Sequence, residues 1–385
     1  MLQAVHTDRT GRVYVSADYG ATGFNGASAV PVQGIALPVD AALVPLSREA
    51  QGFDRSGRAR PLGKARWALA ATLPPGYTRS LHPAFIPTDE ALEPLAYAAL
   101  GADRDGQLVV AALVTDPGAI GSDQTPTPPA RIAAALSARS GNTLLRQLAR
   151  CAREYGCGGA GAIFTGQGDG SLPLGGPGAD LVARHGLERA RPTDPAAFRP
   201  TAAEIAEIGA AHLRAGGGAV SFGRACDGEP LAQERFVEDA IARIRAITTA
   251  GTIHLETDGL RPQALRRLLA AGLGAVTVRL EEGSLAVRRD TLRAAADAGA
   301  ALAVALPVFP GRTDRAGAVE SLLELLASLP GGTLVVRDRP GDPHHLKDDT
   351  PPGEPLGVAA ALDRIRHELP RWRIAAFARP LIAAA

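Results

Sequence analysis

Residues 252–280, TIHLETDGLRPQALRRLLAAGLGAVTVRL, contain the pattern that decides the fold. Two short apolar strands, predicted at residues 252–257 and 275–280, flank a helix predicted over residues 261–270. Pro262 falls in the first turn of that helix, where a missing N–H removes no hydrogen bond. A strand, a helix and a second strand of these lengths predict a right-handed βαβ unit with parallel strands.

The same alternation of strand and helix runs through the C-terminal part of the chain. The strands are almost entirely apolar, which is typical of parallel strands that are covered on both faces. Six or seven such units predict an α/β fold, a partial or full (β/α) barrel, whose chemistry lies at the carboxyl ends of the strands. The other strands are predicted at residues 162–165, 219–222, 301–306, 333–337 and 373–377, and the other helices at residues 233–247, 287–298, 314–329 and 356–368.

The start of the chain has a different pattern and predicts a small β-rich domain. Apolar stretches at residues 2–7 and 12–16 flank a turn at residues 8–11, which favours a hairpin. Residues 20–61 are rich in glycine, proline and serine and are expected to form loops. The predicted divisions are a β-rich N-terminal domain at residues 1–128, a helical connector at residues 129–158 and a barrel at residues 159–385.

The composition argues against several classes of protein. The formal net charge is +1, with 41 basic and 40 acidic residues, which does not suit a protein that binds nucleic acid or a membrane surface electrostatically. No apolar run is long enough for a transmembrane helix, and the first residues lack the apolar core of a secretory signal. Three cysteines in 385 residues do not form a disulfide scaffold. A cytoplasmic protein is therefore expected.

Charged residues follow the predicted strands at one edge of the sheet. Glu229 comes shortly after the strand at 219–222, Glu256 and Asp258 end the next strand, and Arg279 ends the one after it. Because the carboxyl ends of parallel strands meet at one edge, these side chains are expected to lie together. Glycines beside them would let a ligand approach the backbone.

The same strand ends resemble those of the radical S-adenosylmethionine (SAM) enzymes. Gly228-Glu229-Pro230 looks like the Gly-Gly-Glu-Pro motif of that family, with Asp227 in place of the first glycine. The segment 256–259 is similar to the family's Asn-Thr-Asn-Gly, and Arg279-Leu280-Glu281 stands where Ser-Leu-Asn is common. The resemblance covers about residues 151–346 and implies a barrel of the radical SAM type. It implies that SAM is bound by Asp227, Gly228, Glu229, Pro230, Thr257 and Arg279.

The chain departs from this family at the cluster-binding cysteines. The family holds a 4Fe-4S cluster with three cysteines in the loop after the first barrel strand, and the aligned positions here are Ala179, Ala183 and Gly186. These residues have no donor atom on their side chains, so they do not ligate iron. The resemblance therefore implies a radical-SAM-fold protein that has lost its cluster. It would be a pseudoenzyme or an accessory protein that binds SAM or a related nucleoside, with an intact radical SAM paralogue as its partner.

Two other interpretations remain open at the level of sequence. The first is an active radical SAM enzyme with unusual ligation, in which Cys151, Cys157 and Cys226 hold the cluster. The second is a barrel enzyme that uses carboxylates for acid–base chemistry without radicals, with Arg279 and Arg337 binding an anion. The candidate catalytic residues are Glu256, Asp258 and Glu281, beside Glu229.

A metal site is the weaker interpretation of another cluster. His344 and His345 stand close to Asp342, Asp348 and Asp349, and imidazole and carboxylate are ordinary ligands of divalent metals. A solvated loop is the preferred interpretation, and no metal is predicted.

Overall fold

A seven-stranded parallel sheet forms the centre of the C-terminal part of the chain. The computed structural model describes residues 1–120, 127–175, 198–223, 228–280, 285–345 and 350–378. Strands that are consecutive in the sequence are neighbours in this sheet, and every pairing is parallel. The strands are β14 (Asp169–Ser171), β15 (Ala219–Phe222), β16 (Thr252–Thr257), β17 (Ala275–Arg279), β18 (Ala301–Val308), β19 (Gly332–Asp338) and β20 (Trp372–Ala375).

The sequential strand order determines which elements pack on each face of the sheet. Right-handed crossovers between successive neighbours place the helices on one face, as in a barrel. Val220, Ile253 and Val276 point to that face and belong to the large core shared with the helices. Ala219 and Ala275 point to the opposite, inner face and belong to a separate small cluster. Among the described residues β14 and β20 do not pair with each other, so the pairing that is described leaves the sheet open.

Most helices fall close to the predicted ranges, but α4 (Ala202–Arg214) was not predicted and one predicted strand is a helix. Residues 162–165, predicted as a strand, are the end of a helix that spans Gly158–Thr165 and stops at Gly166, whose φ is +67°. A short apolar run does not distinguish a buried helix from a strand, and here the run packs as a helix. The helices are α1 (Pro129–Ala138), α2 (Thr143–Glu154), α3 (Gly158–Thr165), α4 (Ala202–Arg214), α5 (Glu234–Ile247), α6 (Pro262–Ala270), α7 (Leu285–Asp297), α8 (Ala316–Ala327) and α9 (Val358–Glu368).

The N-terminal part is β-rich, as predicted, but contains more strand than its sequence indicated. The expected hairpin is present, because β1 pairs with β2 antiparallel and Thr7 lies opposite Val13. Residues 20–61, predicted as loop, contain five short strands and the end of β2. Two of them pair with distant strands, β4 with β12 and β5 with β8, whereas β3 pairs with β2 and β6 with β7 across short turns. The strands are β1 (Gln3–Thr7), β2 (Val13–Phe24), β3 (Ala29–Pro31), β4 (Ile35–Ala36), β5 (Ala42–Glu49), β6 (Gln51–Phe53), β7 (Ala59–Pro61), β8 (Trp67–Thr72), β9 (Tyr77–Arg79), β10 (His82–Pro83), β11 (Ala98–Ala102), β12 (Leu108–Val110) and β13 (Ala112–Val114).

The N-terminal strands contact the loops that follow β18 and β19. The backbone N–H of Arg79 donates to both carboxylate oxygens of Asp338, at 3.2 and 3.1 Å. The His82 ring lies 3.1 Å from the carbonyl oxygen of Pro310 and packs against Phe309, with 4.4 Å between ring centroids. The β-rich part therefore borders the carboxyl edge of the parallel sheet.

Across the described ranges, no helix has both the length and the apolar composition needed to cross a membrane.

Candidate active site at the carboxyl ends of the parallel strands

Glu256 is a buried carboxylate near the end of β16, at this edge of the sheet. Its side chain is 9% exposed and receives two hydrogen bonds from Arg337, at 2.6 Å from Nη1 and 3.0 Å from Nη2. Arg279 Nη1 lies 3.7 Å from the same carboxylate. Burial opposes ionisation, but the charge and hydrogen bonds of Arg337, together with Arg279, outweigh it and lower the pKa of Glu256 to about 2. Glu256 is therefore a fixed negative charge at neutral pH.

Glu229 is held by the end of the neighbouring strand. Its carboxylate accepts hydrogen bonds from Thr257 Oγ1 at 2.5 Å, from the backbone N–H of Asp258 at 2.8 Å and from Arg279 Nη2 at 3.0 Å. It also caps the short 3-10 helix at Pro230–Gln233 by accepting from the N–H of Leu231. Proline suits the first position of such a turn, because it has no N–H to satisfy.

The ionisation of Glu229 differs from that of Glu256. Burial, followed by the nearby Asp258 carboxylate, raises the pKa of Glu229, and the Arg279 charge and the hydrogen bonds only partly oppose this. The two carboxylates share Arg279 and yet shift in opposite directions. Such pairs mark the acid and base positions of many enzyme sites.

Arg279 joins the two carboxylates into one network. Its side chain is 13% exposed, and Nη1 also lies 3.5 Å from the carbonyl oxygen of Gly223. Gly223 has φ of +76°, and a Cβ at this position would lie 2.0 Å from the carbonyl oxygen of Glu256. Glycine is therefore needed where β15 ends, because a side chain would push the two strand ends apart.

The predicted site residues that the structure describes do come together. Thr257 is fully buried, and Asp258 is partly exposed and accepts from the N–H of Leu260 at 3.0 Å. Gly228 and Pro230 flank Glu229 in the turn that it caps. The predictions for Asp227, Glu281, Cys226, Ala179, Ala183 and Gly186 concern residues outside the described ranges.

Sequence reasoning missed a pair that links this site to the N-terminal strands. Asp338 directly follows Arg337, and burial raises the pKa of Asp338 to about 6, with Arg79 partly opposing the shift. The Arg79 side chain is fully buried, donates to the carbonyl oxygens of Tyr97 and Arg339, and lies over the Phe309 ring at 5.1 Å. Nothing in the local pattern around Arg79 indicated burial, because its contacts with Asp338 and Arg339 join it to residues about 260 positions away.

The histidine cluster is part of the contact with the N-terminal strands. The His344 ring stacks on Phe24, with centroids 4.8 Å apart, and meets the edge of Phe85 at 5.1 Å. The buried carboxylate of Asp342 accepts from the N–H of Leu92 at 3.0 Å. Within the described residues, no group of three or more histidine, cysteine, aspartate or glutamate side chains is arranged to hold a metal ion.

Comparison with known proteins gives remote structural likenesses. No family model matches the sequence, and no curated protein matches it. The chain is similar to an enolase from Mycobacterium smegmatis complexed with tartrate, with 12% identity and a TM-score of 0.30 over 77% of this chain and 66% of that one. It is also similar to a mandelate racemase/muconate lactonizing enzyme-like protein from Rubrobacter xylanophilus, with 15% identity and a TM-score of 0.28 over 79% of this chain and 73% of that one. The chain thus spans just under two thirds of the enolase's length. Likenesses of this size say nothing about activity.

The expected membership of the radical SAM family is wrong. The two solved structures named above are an enolase and a mandelate racemase/muconate lactonizing enzyme-like protein, which belong to a different superfamily from the radical SAM enzymes. SAM as a cofactor, and a pseudoenzyme or accessory protein that binds it, depended on that membership and are corrected with it.

The short motifs did not indicate SAM binding correctly, because their residues make contacts within the fold. Glu229 caps a turn, Pro230 fits the first position of that turn, and Thr257 and Asp258 bind the Glu229 carboxylate. These contacts explain the residues without any bound nucleoside. Residues 162–165, predicted as the first barrel strand before the cluster loop, form the end of a helix.

Proposed function

We propose that this chain is a barrel-type enzyme that carries out acid–base chemistry with the carboxylates at the carboxyl edge of its parallel sheet. The observation that supports this most directly is the network in which Arg279 lies between Glu229 and Glu256. Glu256 stays ionised there, whereas burial raises the pKa of Glu229, and a carboxyl group with a raised pKa suits proton transfer.

In this proposal Glu229 carries the proton and the other groups provide a fixed electrostatic frame. Glu256 and Arg337 form a bidentate pair, which is rigid and directional. Arg279 stabilises the ionised form of Glu229 after it has given up its proton, because its Nη2 is 3.0 Å from that carboxylate. Arg337 is the most accessible of these groups, with 32% of its side chain exposed, and is the proposed contact for an anionic group of the substrate.

Hydrogen exchange at carbon tests the proposal, because it detects proton transfer whatever the complete reaction is. The protein is incubated in D2O with a panel of small carboxylic, hydroxy and keto acids, and proton NMR follows the loss of carbon-bound hydrogen. We expect catalysed exchange in at least one compound, and a loss of about 100-fold or more in Glu229→Gln, because the amide neither accepts nor donates the proton.

The matched control is Glu368→Gln, which changes an exposed carboxylate at the end of α9, where the chain leads into the amino end of β20. It should leave the exchange rate unchanged. Exchange that is equal in Glu229→Gln and in the native protein, or no exchange with any member of the panel, would overturn the proposal.

A further inference from the structure

Four polar side chains cross the inner face of the sheet below the candidate site. Asp169 on β14, Ser221 on β15, His254 on β16 and Thr277 on β17 form one continuous chain of hydrogen bonds. Ser221 Oγ lies 2.7 Å from Asp169 Oδ1 and 2.8 Å from His254 Nδ1, and His254 Nε2 lies 2.8 Å from Thr277 Oγ1. Ser221 and Thr277 are fully buried and His254 is 2% exposed. Polar groups in such a place are retained only when they are hydrogen-bonded.

The direction of these bonds fixes one proton on His254. A carboxylate only accepts, so the single hydroxyl hydrogen of Ser221 is donated to Asp169. Ser221 Oγ must then accept from His254, which places a hydrogen on Nδ1. Asp169 lies on the far side of Ser221 from the ring, and its negative charge favours a positive ring.

A second carboxylate faces the ring from its own strand. Glu256 is two residues after His254, and alternate residues of a strand point to the same face. The His254 ring contributes to holding the pKa of Glu256 low, after the larger effects of burial, Arg337 and Arg279. His254 thus lies between the carboxylates of Asp169 and Glu256, with Arg279 and Arg337 beyond Glu256. The surrounding inner-face residues include Ala219, Ala275 and Ala301, which carry no charge.

We infer that His254 is a positioning residue of the site: an imidazolium, held by Asp169 and Ser221 on one side and by Thr277 on the other, that keeps Glu256 ionised. In this state Nε2 donates to Thr277 Oγ1. The cation lies between the buried carboxylate of Glu256 and the partly exposed carboxylate of Asp169, and it favours the ionised form of both. The inference rests on the proposed acid–base function, because it assigns His254 to the frame around Glu229.

NMR of protein labelled with 15N in histidine and 13C in glutamate carboxyls tests this inference. The variants His254→Gln and Glu256→Gln identify the resonances. At pH 7 both ring nitrogens of His254 should show the shift of a protonated nitrogen. In Ser221→Ala, Nδ1 loses its acceptor whereas Nε2 keeps Thr277, so Nδ1 should move to the shift of a bare nitrogen. In His254→Gln the titration of the Glu256 carboxyl carbon should move upward by about one pH unit, a tenfold change in proton affinity.

Matched variants separate this role from a general effect on folding. His367→Gln changes an exposed histidine on α9 and should leave the Glu256 titration unchanged. Ser221→Thr keeps the hydroxyl and should restore the protonated ring, whereas Thr277→Val should remove only the Nε2 contact.

A bare Nε2 in the native protein at pH 7, or a Glu256 titration that does not respond to His254→Gln, would overturn the inference. Neither measurement needs a substrate. If His254 is protonated but no compound exchanges deuterium, the result counts against the proposed function and not against this inference.

Discussion

Asp338 is an ionisable residue whose charge opposes folding. It ends β19 beside Arg337, and both of its carboxylate oxygens accept from the backbone N–H of Arg79. Burial raises its pKa from the ordinary 3.8 to about 6. The folded protein therefore binds this proton more tightly than the unfolded chain does. As the pH rises from about 4 to about 6 the folded state loses stability relative to the unfolded state, and the loss is then constant.

Replacing Asp338 by asparagine should reverse that loss. We expect Asp338→Asn to stabilise the protein by up to about 2 kcal/mol above pH 6, because the amide still accepts from Arg79 and carries no charge to bury. At about pH 4 the gain should vanish. Urea unfolding at pH 4 and at pH 7.5 measures the difference. Asp363→Asn, at an aspartate whose side chain is 73% exposed, is the control. A loss of stability at pH 7.5 would contradict the prediction.

Single residues at the site were predictable to different extents. Glu229, Glu256, Arg279 and Arg337 follow or end apolar strands, and parallel topology brings such positions together. The hydrogen bonds that hold Glu229 were not predictable, because the four donors come from three segments of the chain. The same applies to the inner-face chain, whose members stand on four different strands and carry no local motif.

At the scale of elements, the helix α4 shows how a cap determines where a helix begins. Thr201 Oγ1 accepts from the N–H of Glu204 at 3.1 Å, and the Glu204 carboxylate accepts from the N–H of Thr201 at 2.8 Å. The same carboxylate accepts from the N–H of Thr143, at the start of α2. Burial opposes its ionisation, but these hydrogen bonds prevail and lower the pKa of Glu204 to about 2. One side chain therefore joins two helix N-termini.

Removing the cap should destabilise the protein without changing its structure. Thr201→Ala should lower the free energy of unfolding by about 1 kcal/mol, because two N–H groups lose their partners or their alignment. The urea midpoint of unfolding measures this. Thr249→Ala, at an exposed position after α5, is the matched control and should be close to neutral. An equal effect in both variants would show that the capping box contributes nothing specific.

The elements also show which sequence signals were strong. The amphipathic stripe of α5 and the proline at the start of α6 predicted these helices to within a residue or two. The α4 helix was not predicted, although Thr201 and Glu204 have the spacing of a capping box and could have revealed it. In α3 the glycines at 158, 159 and 161 concealed a helix, because glycine has low intrinsic helix propensity and only packing overrides it.

At the scale of the whole molecule, two glycines allow the N-terminal strands to approach the sheet. Gly26 and Gly311 have φ of +85° and +82°. A Cβ on Gly311 would lie 2.3 Å from the carbonyl oxygen of Asn25 and 2.4 Å from the Cα of Gly26. Backbone meets backbone here, so no side-chain rotation relieves a clash.

A methyl group added at Gly311 should therefore weaken the contact between the N-terminal strands and the segment after β18. In Gly311→Ala we expect faster amide hydrogen exchange at both β10 and the segment after β18, measured by mass spectrometry. Gly299→Ala is the matched control, because Gly299 also has positive φ, at +68°, but nothing lies within 4 Å of a Cβ there. Similar exchange in the two variants would mean that backbone strain, and not the close approach, accounts for the change.

The long-range contacts of the N-terminal strands have a consequence for the order of folding during synthesis. Each parallel strand pairs with its neighbour in the sequence, so the sheet can grow one unit at a time as the chain leaves the ribosome. The contacts of Arg79 with Asp338 and of His82 with Pro310 form later, because their partners are synthesised 259 and 228 residues after them. The nascent β-rich part must stay soluble without its partner surface for about 13 to 50 seconds at the usual 5–20 residues per second. Its exposed strand edges would be the natural substrate of a ribosome-associated chaperone during that interval.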